Sequence, residues 1–192
     1  MNNEPSRFMD SSFIQEKKIE VKGLESRRQE QVRDFEQIVE DYITDVKKII
    51  FVYVKNYHVM EDITQEVFLS IYNNLSEFRG ESPMKVWIFK IAINKSKDYL
   101  KSWHYRKVYL TSLFKEETSK DDVEKTTISN IQSQKLSEII MNLPIKYKEI
   151  IILYYYQDLD TTQISSILNL SVNTVKTRLI RGREIIKRRF DY

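Results

Sequence analysis

The stretch Asp158–Arg189, DLDTTQISSILNLSVNTVKTRLIRGREIIKRR, constrains this chain most, because both ends of a tight interhelical turn are written into it. Asp160 is a good N-cap residue and Gln163 stands three positions on, the spacing of a capping box. A short helix follows through Ile164, Ile167 and Leu168. Asn169 tolerates the left-handed conformation that ends a helix, and Ser171 can cap the next one, which runs to about Phe190. On a helical wheel that second helix puts Val172, Val175, Leu179, Gly182 and Ile186 on one side. Asn173, Lys176, Thr177, Ile180, Arg181 and Glu184 fall opposite. From Val172 to Tyr192, seven Lys/Arg stand against Glu184 and Asp191, a local charge of +5. A packed back, a mixed polar front and flanking cations suit a helix-turn-helix that enters a DNA major groove. An ordinary solvated basic helix would share the charge but not the turn spacing and both caps.

Composition bounds the rest. The chain has 192 residues with only three Gly and three Pro, so helix is the expected element and one large or two small domains fit. Net charge is only +3, so a nucleic-acid footprint must come from local clustering. No Cys occurs, which excludes disulfides and thiolate zinc sites, and His58 and His104 have no metal-ligand spacing. No cofactor is expected. No apolar run approaches the roughly 20 residues of a membrane span. The opening MNNEPSRFMDSSF carries no apolar signal core, so no stable membrane insertion and a cytoplasmic location are the expectations.

Residues 1–30 are polar with weak periodicity, an N-terminal extension that is frayed or partly helical. Order begins near Phe35, with Ile38, Val39, Tyr42, Ile43, Val46, Ile49, Ile50 and Tyr53 at helical steps. After a polar break at Asn56–His58, Ile63, Val67, Phe68, Ile71 and Leu75 form the stripe of a second helix. Its other side groups Asp62, Gln65, Glu66, Leu69 and Asn73, an acidic ring around an apolar residue. That is a docking spot for another protein or simply a solvated face. The loop SEFRGES, centred on Gly80, leads to Ser82 as a cap and Pro83 as the first residue of a third helix. Met84, Trp87, Ile88, Ile91 and Ala92 make its expected buried stripe, with Trp87 read as core. From Lys85 to Lys107, seven Lys/Arg and one acid interleave with Phe89, Tyr99, Trp103 and Tyr105, the ingredients of a single-strand surface. Several of those aromatics must nevertheless be core.

Residues 109–132 are rich in acids, Ser and Thr, and read as a linker. A second unit begins near Ser133 with Leu136, Ile139, Ile140 and Leu143, and Pro144 starts the helix that leads into the turn. The expected fold is all-α: two small helical domains, 31–108 and 133–192, joined by a flexible linker, the second a helix-turn-helix.

At this point two runs resemble those of extracytoplasmic-function (ECF) sigma factors. Glu61 to Phe68 has the pattern E-D-x-x-Q-E-x-F, and Trp87 to Asn94 has W-[LI]-x-x-I-A-x-N, both hallmarks of the family's promoter-melting domain. Leu143–Pro144, the turn, and Thr174 to Arg181 (T-V-K-[ST]-R-[LI]-x-R) are similar to its second domain. The resemblance covers about 35–107 and 133–190, in the family's order. It implies a non-enzymatic subunit of bacterial RNA polymerase that leaves after initiation. It implies that Asp62, Gln65, Glu66 and Leu69 dock on core polymerase, and that the loop Phe78, Arg79, Gly80, Glu81, Ser82 captures a flipped minus-10 base. Asn94, Lys97 and Lys101 would hold the displaced strand. Asn173, Thr174, Lys176, Thr177, Arg178, Ile180, Arg181 and Arg183 would read and hold the minus-35 duplex. An anti-sigma factor is the further expected partner. Gln163 and Ser165 stand where Glu and Ala are usual, and Gly182 replaces a usual Ala at about 1 kcal/mol of helix propensity.

Other classes stay open on the residues alone. A two-domain repressor or activator would bind duplex DNA without polymerase but leaves the first domain unexplained. A polymerase-binding protein that reads no promoter would not need the Asn173–Arg181 front. A nucleic-acid enzyme lacks a carboxylate cluster, metal set or nucleophile–base pair at usable spacing.

Overall fold

The computed structural model describes the backbone of residues 11–102 and 128–191, and the side chains of 32–102 and 132–191. Among the described residues there are seven α-helices and no strand. The first unit comprises α1 (Ser11–Val54), α2 (Tyr57–Asn74), a 3-10 turn (Leu75–Glu77) and α3 (Met84–Lys101). The second comprises α4 (Ile128–Met141), α5 (Ile145–Tyr155), α6 (Thr161–Leu168) and α7 (Val172–Phe190). Residues 109–127 of the expected linker and the aromatics Trp103 and Tyr105 lie outside the described residues, while 128–132 belong to α4.

Helix α1 is 44 residues long, which at 1.5 Å per residue is about 66 Å. Its backbone runs unbroken across residue 31, so the extension from Ser11 onward and the first core helix are one element. The core stripe is buried at Ile38, Val46, Ile49, Ile50 and Tyr53, while Phe35 packs edge-on to Phe68 and Tyr72. Helix α2 starts earlier than its apolar pattern suggests. Asn56, read as part of a break, is its N-cap and accepts from the Val59 amide at 3.0 Å. Ile63, Val67, Phe68 and Ile71 are buried as expected, and Leu75 is partly buried.

Helix α3 departs from its expected start and stripe. Pro83 is the N-cap residue, not the first helical one, and Ser82 makes no capping bond. The Pro83 carbonyl instead accepts from the Val86 and Trp87 amides. Val86, Ile88, Phe89, Ala92, Ile93 and Ser96 are buried, with Phe89 fully enclosed, while Trp87 is only half-buried. The reason is two-sided covering: α1 and α2 pack on one side of α3 and α6 on another, which widens the stripe beyond one face.

The second unit follows its local signals closely. Asp160 accepts from the Thr162 and Gln163 amides at 2.7 and 2.8 Å, and the Gln163 side-chain oxygen accepts from the Asp160 amide at 3.0 Å. Gln therefore closes the box as Glu would. Leu159 and Ile164, which flank the cap at staple spacing, are both buried. Asn169 ends α6 at φ 54°, ψ 51°, and Ser171 caps α7 by accepting from the Thr174 amide at 3.1 Å. Helix α7 buries Val175, Leu179 and Gly182 against α5. A Cβ on Gly182 would stand 3.2 and 3.3 Å from the side-chain carbons of Ile151, so the missing methyl lets α5 and α7 approach closely. That contact offsets the propensity lost by Gly.

The two units are not merely tethered. Helix α6 packs on α3 and α5 touches α1, so buried apolar residues of both units join in one cluster. Val52, off the expected α1 stripe, is buried on this side. So is Lys148, only 4% exposed, which donates to the Met141 carbonyl at 2.8 Å and the Val52 carbonyl at 3.5 Å. Burial, with Lys55 nearby, pulls the Lys148 ammonium down to about 8 from 10.5. A lysine held below its unfolded value burdens the folded state while charged in both states, so the burden is full below about pH 8 and fades towards pH 10.5. Stability should thus rise with pH across that window relative to Lys148→Met. Parallel melting curves for the two proteins would contradict this.

Candidate core-binding and nucleic-acid interfaces

Asp62, Gln65, Glu66, Leu69 and Asn73 all lie exposed on the outer face of α2, and Leu69 is 62% exposed. The buried α2 stripe behind them packs on α1 and α3, so this face projects from a rigid back. Lys95 Nζ of α3 lies 3.4 Å from Glu66, an exposed pair of little energetic weight. The face is acidic with an apolar centre, bordered by one cation.

Between α2 and α3 the chain turns through Phe78–Ser82. Gly80 sits at φ +70° with open space around its Cα, a left-handed conformation that Gly adopts without steric cost. The turn opens a cleft of about 810 Å³ lined by Ser76, Glu77, Phe78, Arg79, Glu81, Ser82 and Trp87. Phe78 and Trp87 stack across it with ring centroids 4.9 Å apart and a 38° tilt. Trp87 is thus a cleft residue that the wheel had assigned to the core. The signal was its place one turn after Pro83, where a helix start faces the loop before it. Phe89, by contrast, is core and offers no stacking face.

Farther along α3, Asn94 is exposed and Lys101 pairs with Asp98 at 3.5 Å. Lys97 turns elsewhere: its Nζ lies 3.1 Å from the Glu149 carboxylate of α5. Sequence reasoning missed Glu149 altogether. It is 6% exposed, accepts from the Tyr53 hydroxyl at 2.7 Å, and has Arg178 Nη1 at 3.8 Å. Burial and the adjacent carboxylate hold the Tyr53 phenol well above its ordinary value, so it stays a donor. In this arrangement Lys97 and Arg178 both face one buried carboxylate, not an open groove.

On α7, Asn173, Lys176, Thr177, Ile180, Arg181, Arg183 and Glu184 are exposed, and Ile180 is 52% exposed. The Thr177 hydroxyl bonds its own helix at the Asn173 carbonyl, and the Thr174 hydroxyl lies 2.8 Å from that of Ser171. Thr174 therefore belongs as much to the cap as to the front. Arg183 borders an apolar groove formed with Leu136, Ile140, Ile151, Tyr155 and Ile186, on the flank opposite Arg178. Among the described residues no group of acids and histidines could hold a metal, and no helix is long and apolar enough to cross a membrane.

Comparison with known proteins finds matches in two segments. The Sigma-70 region 2 family matches residues 38–104, and Sigma-70, region 4 matches residues 133–186. The RNA polymerase sigma factor SigV of Bacillus subtilis is 30% identical over 149 residues, covering 78% of this chain and 86% of that protein. The ECF RNA polymerase sigma factor SigW of the same organism is 28% identical, over 80% and 87% of the two chains. The Escherichia coli K12 ECF RNA polymerase sigma-E factor is 30% identical, over 79% and 84%. Among solved structures, the sigma factor RpoE bound to the anti-sigma factor NepR from Bartonella quintana matches with a TM-score of 0.68 at 17% identity, over 83% of this chain and 98% of that one. CnrH, solved with the cytosolic domain of CnrY, matches at 0.59 and 18% identity, over 83% and 88%. With both family regions matched in order and the fold in common, this chain belongs to the ECF RNA polymerase sigma factors, non-enzymatic factors of transcription initiation.

Proposed function

We propose that the protein binds core RNA polymerase in the cytoplasm, recognises minus-35 and minus-10 promoter elements, and supports strand separation at the latter. The observation that carries this reading is the pairing of an aromatic cleft in the first unit with an exposed basic recognition helix in the second. Core polymerase docks on Asp62, Gln65, Glu66 and Leu69, whose apolar centre and acidic rim suit a basic partner surface. Exposing a flipped base costs a few kcal/mol and is worthwhile only if a pocket receives it. The cleft at the loop of Phe78, Arg79, Gly80, Glu81 and Ser82 suits such a pocket, and the Phe78–Trp87 pair gives the base a surface to lie on. Asn94, Lys97 and Lys101 then track the displaced strand. An anti-sigma factor is a natural restraining partner, since RpoE and CnrH share this fold and were solved with NepR and CnrY.

At the minus-35 duplex, Asn173, Lys176, Thr177, Ile180 and Arg181 read base edges, while Thr174, Arg178 and Arg183 position the helix. Arg suits bidentate contact with guanine, whereas flanking cations meet phosphates and carry no sequence information. Arg181→Ala should therefore cost about 1–3 kcal/mol at the preferred minus-35 sequence and little at a scrambled one. Arg183→Ala should weaken both sequences alike and lower the salt slope by about one unit. The measurement is holoenzyme–promoter affinity for both sequences at several salt concentrations. Equal weakening of both sequences by Arg181→Ala would move the specificity elsewhere on α7.

A further inference from the structure

At the seam where the two units pack together, α1, α4 and the end of α5 enclose a cavity of about 350 Å³. None of the proposed promoter or polymerase contacts uses it. Buried Val52, Ile140 and Gln157 line it, together with two exposed aromatics, Phe51 and Tyr156. Its size falls within the roughly 300–1,000 Å³ of small-molecule sites, and its walls are mainly apolar, as the walls of such sites are.

One polar atom in that lining is unmatched. Gln157 is 2% exposed, and its side-chain oxygen is, among the described residues, a buried acceptor without a hydrogen-bond partner. The polar groups beside it are already engaged. The Gln157 amide donates to the Ile152 carbonyl at 3.1 Å, and its carbonyl accepts from Lys85 Nζ at 2.7 Å. The Ser137 hydroxyl donates to the Ser133 carbonyl at 2.9 Å. Lys148 spans the Val52 and Met141 carbonyls. A buried acceptor left unmet carries its full desolvation cost, so a molecule that brings a donor to Gln157 gains on binding. Water suits the space poorly, because it needs two to four polar partners and the walls are mainly apolar.

Charge narrows the class of ligand. Lys48 lines the cavity, and Lys148 stands on the carbonyls of two lining residues, Val52 and Met141. A cationic molecule would meet both ammonium groups. A carboxylate or phosphate only accepts hydrogen bonds and cannot serve the Gln157 oxygen. We propose that this cavity binds a small, neutral, planar aromatic molecule with one N–H or O–H donor. Gln157 accepts from the donor, and Phe51 and Tyr156 flank the ring. The site goes beyond promoter reading and does not depend on it.

Indole is the test probe, planar and apolar with one N–H donor. Benzofuran has the same shape with an ether oxygen in place of that N–H, and is the control. NMR titration of the full chain, read at the methyl groups of Ile140 and Ile152, gives both affinities. Indole should bind about tenfold tighter than benzofuran, the value of one otherwise unmet buried hydrogen bond. Gln157→Leu is close in size and removes only an unpartnered polar group, so the fold should tolerate it and the two affinities should become level. Phe51→Ala, at an exposed position, should weaken both probes several-fold. These variants also fix the location, because the neighbouring groove of Ile186 and Phe190 contains neither Phe51 nor Gln157. Equal affinities in the unaltered chain would overturn the site, as would a preference for indole that survives Gln157→Leu. Binding indifferent to Phe51→Ala, or no binding of either probe, would overturn it as well.

Discussion

Phe89→Ala should lower the unfolding free energy by about 3–5 kcal/mol, the cost of emptying a fully enclosed aromatic site in a core. Phe89 has no exposed surface and sits on α3, the helix covered by α1, α2 and α6 together. Few side chains of the shared core can collapse into the space, because many are themselves fully enclosed, among them Ile49, Ile50, Ile71 and Ile93. Domains of this size are stable by roughly 5–15 kcal/mol, so the variant loses a large share of the folding margin. Denaturant unfolding monitored by circular dichroism gives the number. A loss below about 1 kcal/mol would mean that the site closes up and that α3 is not the shared support described here.

Reversing Asp62 and Glu66 to Lys together should weaken the complex with core polymerase by at least about tenfold, since close charge pairs at interfaces couple by about 1.5 kcal/mol or more. Folding should tolerate the change, because both side chains are exposed and the one ion pair lost, Glu66 with Lys95, lies at the surface. Titration of labelled protein with core measures the affinity, and the helical signal serves as control. Unaltered affinity would reduce the α2 face to solvated surface and leave Leu69 a chance exposure.

The parts that were legible in the sequence are those whose causes are local. Asp160, Gln163, Asn169 and Ser171 set the boundaries of α6 and α7 through bonds spanning two to four residues, so their types and spacing suffice. The α2 stripe was legible because α2 is covered on one side only, which leaves Asp62, Glu66 and Leu69 outside. Helix α3 was misread because its burial comes from two directions, and a single-face wheel then exchanges Trp87 with Phe89. The start of α3 was misread for a smaller reason, a backbone carbonyl of Pro83 doing what a Ser82 side chain was expected to do.

The seam was the least legible feature. Tyr53 and Glu149 are 96 positions apart, and no spacing rule links them. A weaker signal was present. Helix α5, IKYKEIIILYY, is apolar over most of its circumference, which a helix packed on one side only does not require. Lys148 and Glu149 within that run marked polar groups in a helix covered on more than one side. The same seam bears on the proposed DNA contacts, since Lys97 and Arg178 each face the buried Glu149 carboxylate in the folded chain.

We propose that one chain reads two promoter elements only with core polymerase. Run-off transcription from a template carrying both preferred elements measures this directly, with core alone, protein alone and the two combined. A single start site should appear only with both present. It should be lost when the minus-10 element is scrambled, and be restored neither by a preferred minus-35 element nor by excess protein. Tight duplex binding by the protein alone, with no core-dependent transcript from any template, would contradict the account and make the chain a conventional DNA-binding regulator.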